Sequence, residues 1–390
     1  NGDNMEKKWW KESVVYQIYP KSFKDSNGDG VGDIRGIIQK LDYLKELGVN
    51  VLWISPMLES PQDDNGYDIR DYQAILKEFG TMEDFDLLLS ELHKNNIKLI
   101  MDLVVNHSSD EHNWFVESRK SKDNTYRDYY IWQKEKPNNW GSFFGGSSWE
   151  FDELTKEYYL HLFSKKQPDL NWENPEVKQA LFKMIHWWLE RGIDGFRVDA
   201  ISHIQKQPGL PSLPNPKGEK YVSSFDYHMN VAGIEKHLHE LKEQAFDPFN
   251  IVTVGEANGV TADNALLWVA EATEHDQGGV FNMIFQFEHM KLWSEEQSKE
   301  RLDLVEFKRI LSRWQDALEG KGWNALYLEN HDQARSIDTF ADPTSRYASA
   351  TALASCYFLM KGTPFIYQGQ EIGMVNHQFT SLDEFNDVSA

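Results

Sequence analysis

Three acidic residues in this chain stand where an apolar, strand-like run gives way to loop. Asp199 closes Gly195-Phe196-Arg197-Val198-Asp199, and Glu256 closes Ile251-Val252-Thr253-Val254-Gly255-Glu256. Leu326-Tyr327-Leu328 leads through Glu329-Asn330-His331 to Asp332. A half-buried carboxylate at the end of an apolar strand costs several kcal/mol unless a partner or a reaction uses it. One ionised carboxylate can attack an electrophilic carbon while a second, with a raised pKa, protonates the leaving group. That is retaining glycoside hydrolysis, and it needs the two groups ~5–5.5 Å apart. Asp199 suits the nucleophile, because Arg197 two residues earlier points to the same face and its cation keeps the carboxylate ionised. Glu256 has no cation near it in sequence, which suits a general acid. Asp332, beside His331, would orient hydroxyls and stabilise positive charge in the transition state. Two other readings compete, a metal site built from the same groups and three unrelated ion pairs. The first is weakened because no two histidines share a strand or helix at ligand spacing.

Such residues must be carried by several strands that end at one mouth, which is how a parallel (β/α)8 barrel builds its active site. Strand-like runs alternate with amphipathic segments along the chain, as a parallel α/β fold requires. Val14–Tyr19, Val49–Ile54 and Lys98–Val105 read as the first three strands. Ile37–Leu47 and Met82–Lys94 read as the first two crossover helices, the second opened by a Thr81/Asp84 capping box. The rhythm breaks over 106–173, where Trp, Gly, Asn and Ser cluster and no crossover helix is evident. A structureless loop of that length is unusual, so it is expected to be a small inserted domain, with Glu157–Phe163 as a half-exposed strand. A helix at Pro175–Arg191 follows, capped by Asn174. Gly195–Val198, Ile251–Val254, Gly279–Ile284, Ala325–Leu328 and Pro364–Tyr367 complete eight strands, with a helix around Arg346–Met360 between the last two. The expected organisation is therefore an α/β TIM barrel from 5–105 and 174–390, interrupted by 106–173. It is expected to be incomplete at its carboxyl end, since the chain stops before an eighth helix.

The 390 residues, 40% of them hydrophobic, suffice for a large core, and a net charge of −22 excludes nucleic acid and anionic membranes as obvious partners. No apolar run of ~18 residues and no amino-terminal apolar core is present, so neither a membrane span nor a secretion signal is expected. The single Cys356 precludes an internal disulfide and fits a reducing, cytoplasmic setting. Most of the 14 Trp, 16 Tyr and 22 Phe are expected to be core, but planar rings also stack on sugars.

The residues resemble the α-amylase superfamily, glycoside hydrolase family 13. Asp102-Leu103-Val104-Val105-Asn106-His107, the segment ending at Asp199, Glu256 after its strand, and Asn330-His331-Asp332 are similar to four signature regions of that family. Gln167-Pro168-Asp169-Leu170-Asn171 is similar to the fifth region in its oligo-1,6-glucosidase and α-glucosidase branch. The resemblance implies Asp199 as nucleophile, Glu256 as acid/base and Asp332 as transition-state stabiliser. It further implies that Tyr67 stacks on the sugar beside the scissile bond and that Asp68, His107, Arg197 and His331 hydrogen-bond it. Asp102 and Asn106 read as structural. The implied activity is exo-cleavage of a terminal α-glucose from short oligosaccharides. Trp140, Phe143, Phe144 and Trp149 of the insertion have two readings of equal weight, a wall of the pocket or part of a core. In this branch a Val after the nucleophile goes with α-1,6 cleavage, and Ala200 leans toward α-1,4 or mixed activity. Transglucosylases and sucrose isomerases share the same acids, but Arg301-Leu302-Asp303-Leu304 only partly matches the isomerase loop. An inactive scaffold is the remaining alternative, and it is disfavoured by retention of all three acids. Family members also carry an arginine-bearing segment after strand eight, a final helix and a β-sandwich, which are expected to be missing here.

A second pattern is separate from the acids. Asp25, Asn27, Asp29 and Asp33, with Gly30 at the turn and the Val31 carbonyl, resemble the start of an EF-hand loop, although Gly36 stands where the bidentate Glu belongs. In the family branch a similar loop holds Ca²⁺, so structural calcium is expected and no organic cofactor.

Overall fold

The computed structural model describes residues 7–292 and 302–381. Residues 5, 6, 293–301 and 382–390 of the expected barrel, Arg301 of the partial isomerase loop among them, lie outside the described residues. Eight barrel strands follow in chain order: β1 (Val15–Ile18), β2 (Val51–Ile54), β3 (Lys98–Val104), β4 (Gly195–Asp199), β5 (Val252–Glu256), β6 (Met283–Phe285), β7 (Ala325–Leu326) and β8 (Thr363–Tyr367). Their hydrogen-bonded order is β6-β5-β4-β3-β2-β1-β8-β7 and every pairing is parallel. Each strand thus lies beside its successor and β8 returns to β1, giving a nearly closed barrel with its seam between β6 and β7.

The two-residue period of each strand sorts its side chains between two apolar cores. Val15, Val51, Trp53, Ile100, Val252, Val254, Met283, Phe285 and Phe365 pack together inside the barrel. Tyr16, Ile18, Leu52, Ile54, Leu99, Met101, Phe196 and Val198 face outward into the layer shared with the helices. The inward series continues toward the carboxyl ends as Gln17, Asp102, Arg197, Asp199 and Glu256. The alternation that fills the lower barrel with hydrocarbon therefore delivers polar groups to its mouth. At the other end of β4, Gly195 has φ +151°, and a Cβ there would fall 1.9 Å from the Val252 carbonyl oxygen. The close approach of β5 requires the glycine.

Local signals hold well at the helices. Thr81 and Asp84 form a reciprocal capping box on Met82–Lys94, and Asn174 caps Pro175–Glu190 with Pro175 in the first turn. The expected Ile37–Leu47 helix is two shorter ones, Ile34–Gln39 and Leu41–Leu47, broken at Lys40. The insertion does contain a short helix, Asn113–Ser118, and a three-stranded antiparallel sheet of Trp132–Gln133, Glu157–Leu160 and Trp149–Asp152. Trp140–Gly141 pairs instead with Val222–Ser223, a segment that follows β4, so part of the loop after β4 joins the inserted unit. Among the described residues no helix is long and apolar enough to cross a membrane.

Candidate active site

Arg197 is the hub of the mouth. Its side chain is fully buried, and Nη1 donates to Asp102 Oδ1 at 2.7 Å and to Asp199 Oδ1 at 2.9 Å. Nη2 donates to Glu256 Oε2. Register explains the convergence: Arg197 sits opposite Asp102 on β3 and Val254 on β5, two residues short of Glu256. The Glu256 contact departs from expectation, because a strand viewed alone shows no cation near that acid. Asp102 is in turn held by Trp53 Nε1 at 2.8 Å and the Tyr67 hydroxyl at 3.1 Å, both on Oδ2. One guanidinium therefore serves three carboxylates, Asp102, Asp199 and Glu256. Burial and then the Glu256 charge push Asp199 well above the usual carboxylate range, with Arg197 opposing them. Burial likewise raises Glu256 against the pull of Arg197. Two carboxylates on one guanidinium are coupled, so ionising one makes it harder to ionise the other. Ala200, directly after Asp199, adopts φ +47° and turns its N–H toward Glu256 Oε1, 3.3 Å away.

The remaining expected residues come to the same mouth by different routes. β7 ends at Leu326, earlier than expected, and the chain then turns so that the Tyr67 hydroxyl lies 2.8 Å from His331 Nε2, with the two rings stacked at 5.3 Å. Asp332 Oδ2 lies 3.1 Å from His331 Nε2. The Asp332 side chain is 60% exposed, so desolvation opposes its ionisation little, and His331, then Arg197, hold this acid below its ordinary range. Gln17 Nε2 meets His331 Nδ1 at 2.8 Å from the barrel interior, a support not evident from the sequence. His107 is buried with Nε2 3.1 Å from the Tyr67 carbonyl, and burial lowers its pKa to about 4, so the ring is neutral.

Asp68 has a different placement from the one expected. Its Oδ1 accepts from the Ser60 hydroxyl and the Asp64 N–H, and its Oδ2 from the Asp63 N–H, at 2.8–3.1 Å. These bonds commit the carboxylate to its own loop. Asp64, four residues earlier, is the acid of that loop that meets Gln167, with Oδ2 2.9 Å from Gln167 Nε2, which also lies 3.3 Å from His107 Nε2. The Asp63-Asp64-Asn65-Gly66-Tyr67-Asp68 run gives no signal for choosing among its three acids. The rings of the insertion also divide. Trp140 and Trp149 are buried with Leu160 and Leu162, whereas Phe143 stacks on Phe163 at 4.5 Å. Both phenylalanines line a cavity of about 310 Å³ together with Glu256, His203, Asn258 and Phe287. Phe163 was not singled out in the sequence. Lys206 ties this wall together: Nζ is 2.8 Å from Asp169, 3.3 Å from Asn106 Oδ1 and 2.9 Å from the His203 carbonyl.

The Asp25–Asp33 loop lies elsewhere, on the surface. Asp25 accepts the N–H groups of Asn27, Gly28 and Gly30, Asn27 Oδ1 accepts from Asp29, and Asp29 Oδ1 accepts from Val31. The Gly30, Gly28 and Asn27 donors hold Asp25 below the usual carboxylate range. Asp33 caps the following helix through Gly36 N–H and accepts from Ser26. Among the described residues no three His, Cys, Asp or Glu side chains converge as a metal cage, so an ion here would lean on the Asn27 amide and Val31 carbonyl as well.

Comparison with known proteins places this geometry among relatives. A profile described as alpha amylase, catalytic domain, matches residues 17–389. A probable oligo-1,6-glucosidase of Bacillus subtilis (strain 168) is 61% identical over 99% of this chain and 69% of that protein's length. An oligo-1,6-glucosidase of Bacillus cereus is 58% identical over 98% and 69%. A crystal structure of an isomaltulose synthase from Protaminobacter rubrum superposes with a TM-score of 0.89 at 44% identity, covering 98% of this chain and 69% of that one.

Proposed function

The chain belongs to the alpha-amylase family, and we propose that it removes terminal α-linked glucose from short oligosaccharides with retention. It is a glycoside hydrolase of the α-glucosidase type. The observation that carries the mechanism is the single guanidinium, Arg197, bonded to both Asp199 and Glu256. Carboxylates held on two nitrogens of one fork fit the ~5–5.5 Å of a retaining pair better than the ~6.5–9.5 Å that admits a water between them. In this reading Asp199 attacks the anomeric carbon as the bond to the leaving oxygen breaks, and Glu256 gives that oxygen its proton. Glu256 then takes a proton from water, which displaces Asp199 and frees glucose with its α-configuration kept. Asp332 and the neighbouring His331, Tyr67 and His107 bear on the sugar that develops positive charge. Asp64 is the better candidate than Asp68 for contacting its hydroxyls.

The test is release of glucose from isomaltose, maltose, trehalose and sucrose. The names of the relatives lean toward α-1,6 linkages and Ala200 toward α-1,4, so cleavage of both isomaltose and maltose is expected. One small side chain shifts such a preference by only ~1–3 kcal/mol. A well-folded protein that frees no glucose from any of the four would sink the reading. The likeness to an isomaltulose synthase favours one alternative outcome: sucrose converted to an isomer, with a sugar intercepting the covalent intermediate in place of water.

We also read Asp25, Asn27, Asp29, Val31 and Asp33 as holding structural Ca²⁺, and the lone Cys356 as fitting a cytoplasmic enzyme. Asp25, Asn27 and Asp29 keep lone pairs beyond the N–H bonds that they accept, and an ion would draw on those. Chelation is therefore expected to lower the melting temperature while leaving the chemistry of Asp199 and Glu256 untouched. A melting curve indifferent to EDTA would remove calcium from this loop.

A further inference from the structure

No ladder joins β6 to β7, so the closing of the barrel at this seam falls to side chains. His289, in the turn after β6, and Tyr327, directly after β7, supply them. His289 Nε2 lies 2.9 Å from the Tyr327 carbonyl, and a carbonyl only accepts, so Nε2 carries a proton. Gln286 Oε1 accepts the Glu288 N–H at 2.7 Å, which leaves the amide nitrogen to donate to His289 Nδ1 at 2.8 Å. Backbone groups at both ends thus fix His289 as the neutral Nε2–H tautomer, and burial keeps it neutral by lowering its pKa to about 4. In return, the Tyr327 hydroxyl donates to the Gln286 carbonyl at 2.6 Å. The Tyr327 N–H goes to the Tyr357 hydroxyl at 3.3 Å, and that hydroxyl also lies 3.5 Å from His289 Nε2. Among the described residues no other hydrogen bond joins 283–292 to 325–333. All three rings are buried, and Phe285 of β6 packs edge-on against Tyr327 at 5.1 Å.

The two sides of the seam carry different parts of the mouth. β6 travels with Glu256, which stands opposite Phe285, and the Ala257 N–H donates to the Phe285 carbonyl at 3.2 Å. Tyr327 leads within five residues to Asp332. The Asp332 side chain is largely exposed and meets its neighbour His331, so its place depends on how its own strand end is held. After burial and Arg197, the charge of Asp332 is the next to act on Glu256, so the spacing of the two acids matters to both. We propose that His289 and Tyr327 are positioning residues, whose pair of bonds across the seam sets Asp332 against Glu256. The inference rests on the glucosidase reading above. An acid used only as positive charge develops on the sugar acts on the transition state and not on the bound substrate, so a displaced Asp332 lowers kcat and kcat/KM together.

The experiment measures kcat and KM for p-nitrophenyl α-glucoside in His289→Ala, His289→Gln and Tyr327→Phe, and repeats His289→Ala in an Asp332→Asn background. A misplacement of about 1 Å costs a catalytic site on the order of 10²-fold, so His289→Ala is expected to lower kcat by about tenfold or more with KM little changed. His289→Gln brings an N–H close to the position of Nε2 and is expected to recover most of the loss. In the Asp332→Asn background the same alanine is expected to add little, because the group it positions is already gone. A loss that multiplies in full with that of Asp332→Asn overturns the proposal, as does an unchanged kcat in a folded His289→Ala protein. Tyr327→Phe keeps the ring and loses only the return bond, so it carries the test if the alanine variant does not fold: kcat is expected to fall, and a value equal to the parent's overturns the proposal. Nitrogen NMR of the parent protein labelled in histidine is expected to show His289 protonated at Nε2 alone, and a proton on Nδ1 overturns the clasp itself. Failure of the parent protein to cleave the aryl glucoside would instead refute the glucosidase reading.

Discussion

Asp199→Asn is expected to reduce kcat by about 10⁴-fold or more while the protein stays folded, the scale seen when a covalent nucleophile is removed. The amide keeps the shape of the carboxylate, and its oxygen can still accept from Arg197 Nη1, now 2.9 Å from Oδ1. Only the negative charge and the nucleophilic lone pair are lost. Burial and the Glu256 charge already disfavour ionised Asp199, so a neutral group there relieves the resting protein. The melting temperature is therefore expected to hold or rise as activity vanishes, the trade expected where a site is tuned for chemistry rather than stability. Glucose release and thermal melting on the same preparation check both halves. Normal turnover in the variant would remove Asp199 as the nucleophile.

Arg197→Leu is expected to act in the opposite sense, on stability as much as on rate. The side chain is fully buried and bonded to Asp102, Asp199 and Glu256, so its removal strands three carboxylates around an apolar replacement. Breaking a buried pair by deleting one partner costs about 3–5 kcal/mol. The loss should depend on pH. Arg197 lowers the pKa of both Asp199 and Glu256 in the folded protein, and without it both rise further above their unfolded values. A carboxyl whose folded pKa is raised loses stability as pH climbs past its unfolded value, so the deficit should be larger at pH 8 than at pH 5. Urea unfolding at the two pH values measures this. A difference from the parent under about 1 kcal/mol would show that Arg197 is not the hub described above.

The parts of this architecture that were legible in the sequence are those set by local rules. The capping box of Thr81 and Asp84 and the Asn174-Pro175 start each involve neighbours a few residues apart, and they formed as expected. Strand boundaries were less secure where packing decides them. Val280 and Phe281 continue an apolar run into β6, yet they pack outside the barrel against the helix layer, and only Met283–Phe285 join the sheet. Tyr327 and Leu328 look like strand but follow β7, as the chain turns toward His331. The convergence of Asp199, Glu256 and Asp332 could be inferred because each acid ends its own apolar run. The bond from Arg197 to Glu256, the support of His331 by Gln17 and the commitment of Asp68 to its loop could not be, because each depends on cross-strand register or on a turn that composition does not encode.

The pairing of Trp140–Gly141 with Val222–Ser223 has a consequence for anyone recombining such barrels. The insertion after β3 and the loop after β4 are distant in sequence but make one wall, stitched by that pairing, by Asn139 with Leu213 and by Lys206 with Asp169. A chimera that exchanges 106–173 alone would leave the Val222 edge without its strand and the Ser224 hydroxyl without its Gly141 carbonyl. The heritable module at this mouth is therefore a discontinuous pair of segments, and substrate preference should travel between relatives only when both move together.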